Sequence, residues 1–374
     1  GGGDPTLGSP MMSSAPNADA VLNAWVAAIR KAGITRIEGA VVGDDSYFDS
    51  NIIPYTWQWG DMGNYYGAGV YGLNFNDNMY SLFFQQKATV GDAPQIKRVE
   101  PALPYLQFTN EVTSGEKGSG DNAYIFSSPY GHDIVIRGTI PAGSGEFRVR
   151  GALPNPPYYA AHSLTEKLKN SGIPVSKAPQ VWSKPLTIMN RQTFHTTLSP
   201  PLLDIVKHIN EDSRNLYCEA LLKAIGLKVK NAPTFDAGLV AIMDFWMSRG
   251  VDMNGFFMHD GSGLSSRNSI SARTFAQIMR KAYLDPVTFH DFYNQLAVAG
   301  ETGTLAAIGK KTAAQGNIHA KSGSINRVRT YTGYATTRSG RVVAFSILVN
   351  NYSCSGGVMR KKLEELMIQI AQLP

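Results

Sequence analysis

Lys321, Ser322 and Gly323 form a short run of residues whose chemistry suits the binding of a carboxylate. The ammonium group of Lys321 can attract a carboxylate, and the Ser322 hydroxyl can donate a hydrogen bond to the same group. Gly323 has no Cβ, so a ligand can lie close to the backbone there. The N–H of Ser324 can then donate to an oxygen that becomes negative during acyl transfer. These four residues predict a substrate-binding strand, although a lone Lys-Ser-Gly is a weak motif.

Ser213 and Asn215 lie well upstream of Lys321 and admit two interpretations. Both precede a predicted helix, and Ser and Asn are favoured at helix N-termini because their side chains accept bonds from free backbone N–H groups. In the second interpretation, Ser213 relays a proton to a leaving amine, while Asn215 binds a substrate amide and orients a catalytic lysine. Ser213, Asn215 and Lys321 are therefore the candidate catalytic residues. The residues alone leave both interpretations open.

A nucleophilic serine with an adjacent base is the component of an acyl-transfer site that these residues do not supply. The only Ser-x-x-Lys spacing in the chain runs from Ser114 to Lys117. It lies in a polar, glycine-rich loop and not at the start of a buried helix, where this motif works. We therefore expect that this pair is not catalytic.

Helices are predicted on both sides of the Ser213 motif. Ser199 is expected to cap one helix, and a second helix follows Ser213 and is expected to end at Gly226. A further helix is predicted over Ser271–Ala282. Strands are expected at Ile318–Ile325, Arg329–Thr337 and Arg341–Asn350, followed by a closing helix at Gly357–Leu373. Helices before and after a run of strands predict helices packed on an antiparallel sheet.

The N-terminal half of the chain carries a different pattern. Asn17 is expected to cap a helix that Gly33 ends, and Ile34–Val42 is predicted to be a strand. Residues 80–150 favour short strands separated by glycine-rich turns. A boundary is expected near Pro154–Pro157, so the residues before it are expected to form one or two small mixed α/β units.

Ser213-Arg214-Asn215 followed by Lys321-Ser322-Gly323 resembles the motif pair of penicillin-binding serine acyltransferases, where Lys-Thr-Gly is commoner than Lys-Ser-Gly. The likeness covers essentially the whole chain and is to the D-alanyl-D-alanine carboxypeptidase/endopeptidase family, the low-molecular-mass class C penicillin-binding proteins. The other segments that carry it are Gly2–Leu7, Ile37–Gly39, Asp44–Phe48, Asn76–Asn78, Asp260–Ser265 and Gly303–Leu305.

The resemblance implies an α+β fold, in which a transpeptidase/β-lactamase-like domain is interrupted by inserted β-rich domains. Residues 1–155 are then expected to form the inserted domains, and residues 156–374 the C-terminal portion of the transpeptidase-type domain. In the family, Ser-x-x-Lys lies upstream of the Gly-Asp-Pro segment, which begins here at Gly3. The chain is therefore expected to start downstream of its nucleophile and to lack the N-terminal portion of that domain.

The same resemblance implies an activity: a serine carboxypeptidase or endopeptidase that hydrolyses D-Ala-D-Ala ends or peptide cross-links of peptidoglycan through an acyl-enzyme. Peptidoglycan stem peptides are the implied substrates, and β-lactams the implied inhibitors. No cofactor is implied, and the implied location is the bacterial periplasm or another extracytoplasmic region of the cell envelope. A catalytically inactive peptidoglycan-binding or scaffolding protein is the alternative. A β-lactamase is disfavoured because hydrolysis of a small drug does not require inserted domains.

Composition narrows the remaining classes. The chain has 374 residues, of which 43% are hydrophobic, enough for the cores of two or three domains. Its 35 Lys and Arg against 29 Asp and Glu give a net charge of +6, without a basic stripe interleaved with aromatic residues, so nucleic-acid binding is not expected. The seven His residues have no metal-ligand spacing, so no metal site is expected. The pairing of Cys218 and Cys354 and the oligomeric state stay open.

Overall fold

The computed structural model describes residues 1–184 and 191–374. Helices and strands are mixed along the chain, and the strands of the described ranges form separate sheets. This architecture confirms the predicted α+β class. Within the two described ranges, no helix combines the length and the apolar character needed to cross a membrane.

The chain begins with a capped helix, as predicted. The side chain of Asn17 accepts a hydrogen bond from the N–H of Ala20 at 2.9 Å, which satisfies one of the free donors of the first turn. Val21, Leu22 and Val26 form the buried face of this helix. The first elements are α1 (Ala18–Lys31), the short strand β1 (Val42–Asp44) and the single-turn helix α2 (Trp59–Met62).

Two three-stranded sheets follow and account for the β-rich stretch that the sequence predicts. Apolar residues alternate along the strands, so that Leu82 and Phe84 on one strand and Ile134 and Ile136 on another are almost wholly buried in a shared core. One sheet has the order β3-β2-β7, and the other has the order β4-β6-β5. These strands are β2 (Met79–Gln85), β3 (Gln95–Glu100), β4 (Gln107–Gly115), β5 (Asn122–Phe126), β6 (Asp133–Pro141) and β7 (Glu146–Ala152).

Helix α3 (Pro156–Asn170) and strand β8 (Gln180–Trp182) come next. Asn155 caps α3 through its side chain, and proline occupies the first turn, where no N–H is needed. Strand β8 pairs in parallel with β1, and α3 packs on α1. Elements from both sides of residue 155 therefore share one layer, and the division of the chain into domains at that residue stays a prediction.

Three helices then bring the Ser213 motif to its place: α4 (Leu202–Asp212), α5 (Asn215–Lys230) and α6 (Phe235–Met247). Helices α5 and α6 approach each other closely at glycines. A Cβ on Gly238 would lie 2.1 Å from the Leu222 carbonyl oxygen, and one on Gly226 would lie 2.8 Å from the N–H nitrogen of Gly238. The prediction that Gly226 ends the helix is therefore wrong: the glycine lies inside α5 because α6 needs the space.

The last third of the chain forms the predicted helix-covered antiparallel sheet. Its strand order is β12-β11-β10-β9, and α7 packs on β11 and β12 while α9 packs on β11. Ala320, Tyr331, Phe345, Leu363 and Met367 meet in the core between the sheet and α9. The elements are α7 (Ala272–Tyr283), α8 (Phe289–Asn294), β9 (Ala297–Val298), β10 (Ile318–Ile325), β11 (Val328–Thr336), β12 (Val342–Asn350) and α9 (Gly356–Ala371).

Candidate active site

Strand β10 carries the Lys-Ser-Gly motif along a partly open sheet edge. β10 pairs with β11 along its whole length, but it pairs with β9 only at His319 and Ala320. From Lys321 onward, no strand in the described ranges covers the edge opposite β11. The Ile318 carbonyl accepts a hydrogen bond from the N–H of Ala299, next to β9, so the backbone groups of Ile318 are directed to the β9 side of β10. Because N–H and C=O groups alternate between the two edges of a strand, those of Ser322 and Ser324 also point to the open one.

Lys321 contacts Ser213 directly. Its Nζ donates to the Ser213 Oγ at 2.7 Å and to the Ser322 carbonyl at 2.9 Å. Lys321 is half-buried, and this burial lowers the pKa of its ammonium group below the ordinary value. The Ser213 hydroxyl is exposed. The structure thus joins two of the three candidate catalytic residues into one amine–hydroxyl pair that can pass a proton to a ligand.

Ser213 does not cap α5. It follows the last residue of α4 with φ 58° and ψ 54°, and the N-cap of α5 is Arg214, which makes no side-chain cap bond. A non-glycine residue in this left-handed region costs on the order of 1–3 kcal/mol, and such residues are concentrated at functional sites. The helix-cap interpretation of Ser213 is therefore wrong, and its hydroxyl is directed to Lys321.

Asn215 is the first residue of α5. Its Nδ2 donates to the Tyr66 carbonyl at 2.8 Å, and the Tyr66 hydroxyl donates to Asp61 at 3.2 Å. No described residue donates to the Asn215 Oδ1, so this oxygen can accept an N–H from a ligand. In the described residues Asn215 makes no bond to Lys321, and its role in orienting the lysine base of the acyl-transfer site stays a prediction.

Ser322 and Lys321 lie next to each other on β10, so their side chains project from opposite faces of the sheet. The Ser322 Oγ donates to the Thr304 Oγ1 at 2.8 Å. Thr304 is exposed and belongs to a short 3₁₀ turn, Gly303–Leu305. Because the Thr304 hydroxyl accepts this bond, its own proton can be donated to a ligand at the open edge of β10. That edge lies between the two faces of the sheet. The sequence marked the Gly303–Leu305 segment only through a likeness, and it assigned no role to Thr304.

Gly323 has a structural reason to lack a side chain. A Cβ at this position would lie 2.5 Å from the Thr330 Oγ1 on the neighbouring strand β11. The sequence suggested instead that the glycine leaves space for a ligand. Ser324 is exposed, and its hydroxyl accepts a bond from Arg329 at 3.2 Å, while its backbone N–H faces the open edge.

Two other potential nucleophiles do not fit the site. Burial, aided by the neighbouring Glu219 carboxylate, raises the pKa of the Cys218 thiol to about 12, so the thiol stays protonated at neutral pH. Ser114 is buried in β4 of another sheet, where its hydroxyl is 3.4 Å from the Lys87 carbonyl, and Lys117 is exposed. Among residues 1–184 and 191–374, no three His, Cys, Asp or Glu side chains group in a way that could hold a metal.

Helices cover the antiparallel sheet, and its Lys-Ser-Gly strand contacts the Ser-x-Asn motif at the start of a helix. Together with the additional β sheets, this arrangement is that of a transpeptidase/β-lactamase-like protein with extra β domains. A protein-family comparison matches residues 1–373, and the chain belongs to the D-Ala-D-Ala carboxypeptidase 3 (S13) family.

Two curated relatives span most of the chain. The chain is 29% identical over 365 residues to a D-alanyl-D-alanine carboxypeptidase of Actinomadura sp., which covers 94% of this chain and 65% of the relative. It is 25% identical over 338 residues to the D-alanyl-D-alanine carboxypeptidase DacB of Haemophilus influenzae, which covers 89% of this chain and 69% of that protein. The chain therefore leaves about a third of each relative's length unmatched.

Solved structures agree on the fold. The crystal structure of penicillin binding protein 4 (dacB) from Haemophilus influenzae superposes with a TM-score of 0.81 at 22% identity, over 97% of this chain and 81% of that one. A second structure of that protein, complexed with a β-lactam, gives a TM-score of 0.73 at 20% identity over 94% and 78% of the two chains.

Proposed function

We propose that residues 1–374 form the substrate-binding and proton-relay portion of a serine-type D-Ala-D-Ala carboxypeptidase or endopeptidase. Its substrates are peptidoglycan stem peptides in the bacterial cell envelope, outside the cytoplasm. The observation that carries the proposal is the 2.7 Å contact between Lys321 and Ser213 beside the open edge of β10. The nucleophilic serine and its lysine base lie outside these residues, in the missing portion of the transpeptidase-type domain to which residues 156–374 belong.

The substrate binds as an extra strand along the open edge of β10. An extended peptide exchanges backbone hydrogen bonds with such an edge, and neighbouring side chains select its ends. The terminal carboxylate of the peptide lies within reach of the Lys321 ammonium and the Thr304 hydroxyl. The free Oδ1 of Asn215 accepts a backbone N–H further along the peptide. The N–H of Ser324 is directed to the carbonyl oxygen that is attacked.

The reaction follows from these positions. The lysine base takes the hydroxyl proton of the incoming serine as the serine oxygen forms a bond to the carbonyl carbon, and the bond from that carbon to the leaving D-alanine nitrogen breaks. The leaving amine takes the proton of the Ser213 hydroxyl, Lys321 returns a proton to Ser213, and the lysine base passes the proton that it took to Lys321. Water then hydrolyses the acyl-enzyme. A lysine whose pKa is lowered by burial is suited to this relay because it gives up its proton more readily.

The names of the relatives support this reaction class. Two curated relatives are named D-alanyl-D-alanine carboxypeptidases, and one of the solved structures contains a β-lactam. We propose that β-lactams inhibit this protein by acylating the same nucleophile, since their carboxylate matches the terminal carboxylate of the peptide.

Intact-mass spectrometry with a penicillin tests where the nucleophile lies. The chain of residues 1–374 is expected to gain no covalent adduct, because Ser213 has only a relay role and Ser114 is buried in another sheet. The same chain, extended upstream through a Ser-x-x-Lys segment, is expected to gain one penicillin per molecule. An adduct on residues 1–374 would overturn the location of the nucleophile. An extended protein that binds D-Ala-D-Ala peptides without ever acylating would point to the scaffolding alternative.

A further inference from the structure

Helix α5 carries a line of polar side chains behind the candidate active site. Asn215, Glu219 and Lys223 follow at intervals of four residues, so they share one face of the helix. Glu219 and Lys223 are both fully buried. Each of the three binds a different segment of the chain. Their partners are, in order, Tyr66, the loop Asp260–Ser265, and Asp49 together with Asn51.

Glu219 binds backbone amides and no cation. Its two carboxylate oxygens accept the N–H of Gly261 at 2.9 and 3.1 Å, and one of them accepts the N–H of Ser262 at 2.8 Å. In the described stretches of the chain, no lysine, arginine or histidine forms an ion pair with Glu219. Hydrogen bonds from N–H groups to an ionised carboxylate are stronger than those to a neutral acceptor. The Glu219 carboxylate therefore holds the loop through these N–H groups, and it holds the loop most strongly when it is ionised.

The loop Asp260–Ser265 is held together by hydrogen bonds of its own. The Asp260 carboxylate, which is 1% exposed, accepts bonds from the loop N–H groups of Gly263 and Ser265 at 2.9 and 2.6 Å. It also accepts the Trp57 Nε1–H at 2.8 Å, which attaches the segment that leads to Tyr66. The contacts that hold this loop to α5 therefore also hold the segment from Trp57 to Tyr66.

The attachment lies next to the candidate active site. A Cβ on Gly261 would lie 2.7 Å from the Cys218 carbonyl, so the loop touches α5 at the residue before Glu219. Cys218 in turn is a near neighbour of Lys321. A shift of the loop would therefore change the surroundings of Lys321. Through Trp57, it would also move the chain segment that binds Asn215.

We propose that Glu219 is a positioning residue: its ionised carboxylate holds the Asp260–Ser265 loop, and with it the Trp57–Tyr66 segment, against α5 beside Ser213, Asn215 and Lys321. This inference rests on the proposed function for the meaning of those three residues. The attachment of the loop can nevertheless be tested without any enzymatic activity.

The charged and titratable groups that face Glu219 make its ionisation unusual. They are Asp260 on the loop, and Cys218 and Lys223 on α5. Burial, followed by the charge of Asp260, raises the pKa of Glu219 from 4.5 to about 7, while the bonds from Gly261 and Ser262 oppose this rise. Glu219 therefore changes charge near neutral pH.

Two quantities then respond to pH in opposite directions. Because the pKa of Glu219 is raised on folding, its contribution to the free energy of unfolding is fully present below pH 4.5 and is lost as the pH rises through about 7. The attachment of the loop is strongest when Glu219 is ionised, above that pH. If Glu219 had a role in packing alone, the attachment of the loop would not become stronger as the pH rises and the free energy of unfolding falls.

Hydrogen exchange of the Gly261 and Ser262 amides tests the proposal, measured as protection factors above and below the pKa of about 7. In the natural chain, protection is expected to increase above this pH by about fivefold to tenfold, the difference between a charge-assisted and a neutral hydrogen bond. In Glu219→Gln, protection of both amides is expected to be low and independent of pH. The exposed Glu365 on α9 provides the matched control, and Glu365→Gln should leave both amides unchanged.

Protection that does not depend on pH in the natural chain would overturn the proposal, even if Glu219→Gln fails to fold. So would a folded Glu219→Gln that keeps the natural protection. Binding of a peptide that ends in D-Ala-D-Ala gives the second readout, and the variant should lose several-fold in affinity above the pKa of Glu219 and little below it. If the natural chain binds no such peptide but shows the exchange pattern, the proposed function fails while the attachment of the loop by Glu219 holds.

Discussion

The chain contains two serine–lysine pairs, and the pair that is distant in sequence is the one that makes a contact. Ser114 and Lys117 are separated by two residues, yet Ser114 is buried in β4 and its hydroxyl faces the Lys87 carbonyl. Ser213 and Lys321 are 108 residues apart, and their polar atoms are 2.7 Å apart. A short spacing along the chain matters chemically only when an element such as a helix brings the two side chains together. Strand β4 and the turn after it do not bring Ser114 and Lys117 together in this way.

The two serines also differ in backbone and exposure. Ser114 lies in a regular strand and is 2% exposed, so no ligand reaches it. Ser213 is exposed and has a left-handed backbone between two helices. The first conformation is typical of a packing residue, and the second is one that folded proteins retain mainly where a side chain must point in a required direction.

Substitution of Ser213 by Asn is the strongest way to test this difference. Asn tolerates the left-handed backbone, so the melting temperature is expected to stay unchanged, but it has no hydroxyl proton to relay. In the protein extended through its Ser-x-x-Lys segment, penicillin acylation should fall about a hundredfold or more, as is typical for loss of a general acid–base group. Stopped-flow acylation and thermal unfolding are the measurements. An unchanged rate would make Ser213 no more catalytic than Ser114.

Parallel substitutions of the two lysines compare the pairs directly. Lys321→Ala in the extended protein removes a charge-assisted bond to the substrate carboxylate worth about 1.5–3 kcal/mol, so acylation should slow by about tenfold to a hundredfold. Lys117→Ala removes an exposed charge from a turn and should leave the rate unchanged. Equal effects of the two substitutions, or a rate within about twofold of the natural one for Lys321→Ala, would remove the distinction between the pairs.

Ser114→Ala is expected to have the smallest effect. Its hydroxyl makes one long bond of 3.4 Å, so its loss should lower the free energy of unfolding by less than about 1 kcal/mol. Acylation of the extended protein should not change. Denaturant unfolding and the acylation rate, measured on the same preparation, check both statements. A large loss of acylation with intact stability would show that Ser114 acts in the reaction after all.

Local signals predicted those elements whose ends are fixed by local bonds. Ser271 accepts a bond from the N–H of Thr274 at 3.0 Å, and the helix predicted there is observed as α7. The predicted strand Arg341–Asn350 is observed over Val342–Asn350. In the helix, the side chain that signals the element also makes the bond that caps it.

Predictions failed where a distant partner decides the structure. Ile34–Val42 was predicted to be a strand, but in the described residues the ladder with β8 covers only Val42–Asp44, and Ile37 forms a single bridge to Val175. Ser199 was predicted to cap α4, but the N-cap is Pro201, without a side-chain bond. Local composition carries no information about how long a neighbouring strand is or where a helix docks.

The candidate site divides in the same way. The two motifs carry the residues that meet, Ser213 and Lys321, and they were recognisable as a pair through their resemblance to the motif pair of penicillin-binding serine acyltransferases. Thr304, the Tyr66 carbonyl and Glu219 were missed. Their contacts join segments that are far apart in sequence, and a backbone carbonyl leaves no trace in the residue type.

The open edge of β10 has a consequence for the behaviour of the protein in concentrated solution. Unpaired N–H and C=O groups at a sheet edge can pair with any extended chain, including the same edge of another molecule, and such pairing is a common start of aggregation. Lys321 counters this, because edge-to-edge pairing of two copies would bring their ammonium groups close together in a site that is already half-buried. The positive charge of Lys321 suits a peptide terminus. The same charge also opposes pairing of the open edge with the same edge of another molecule.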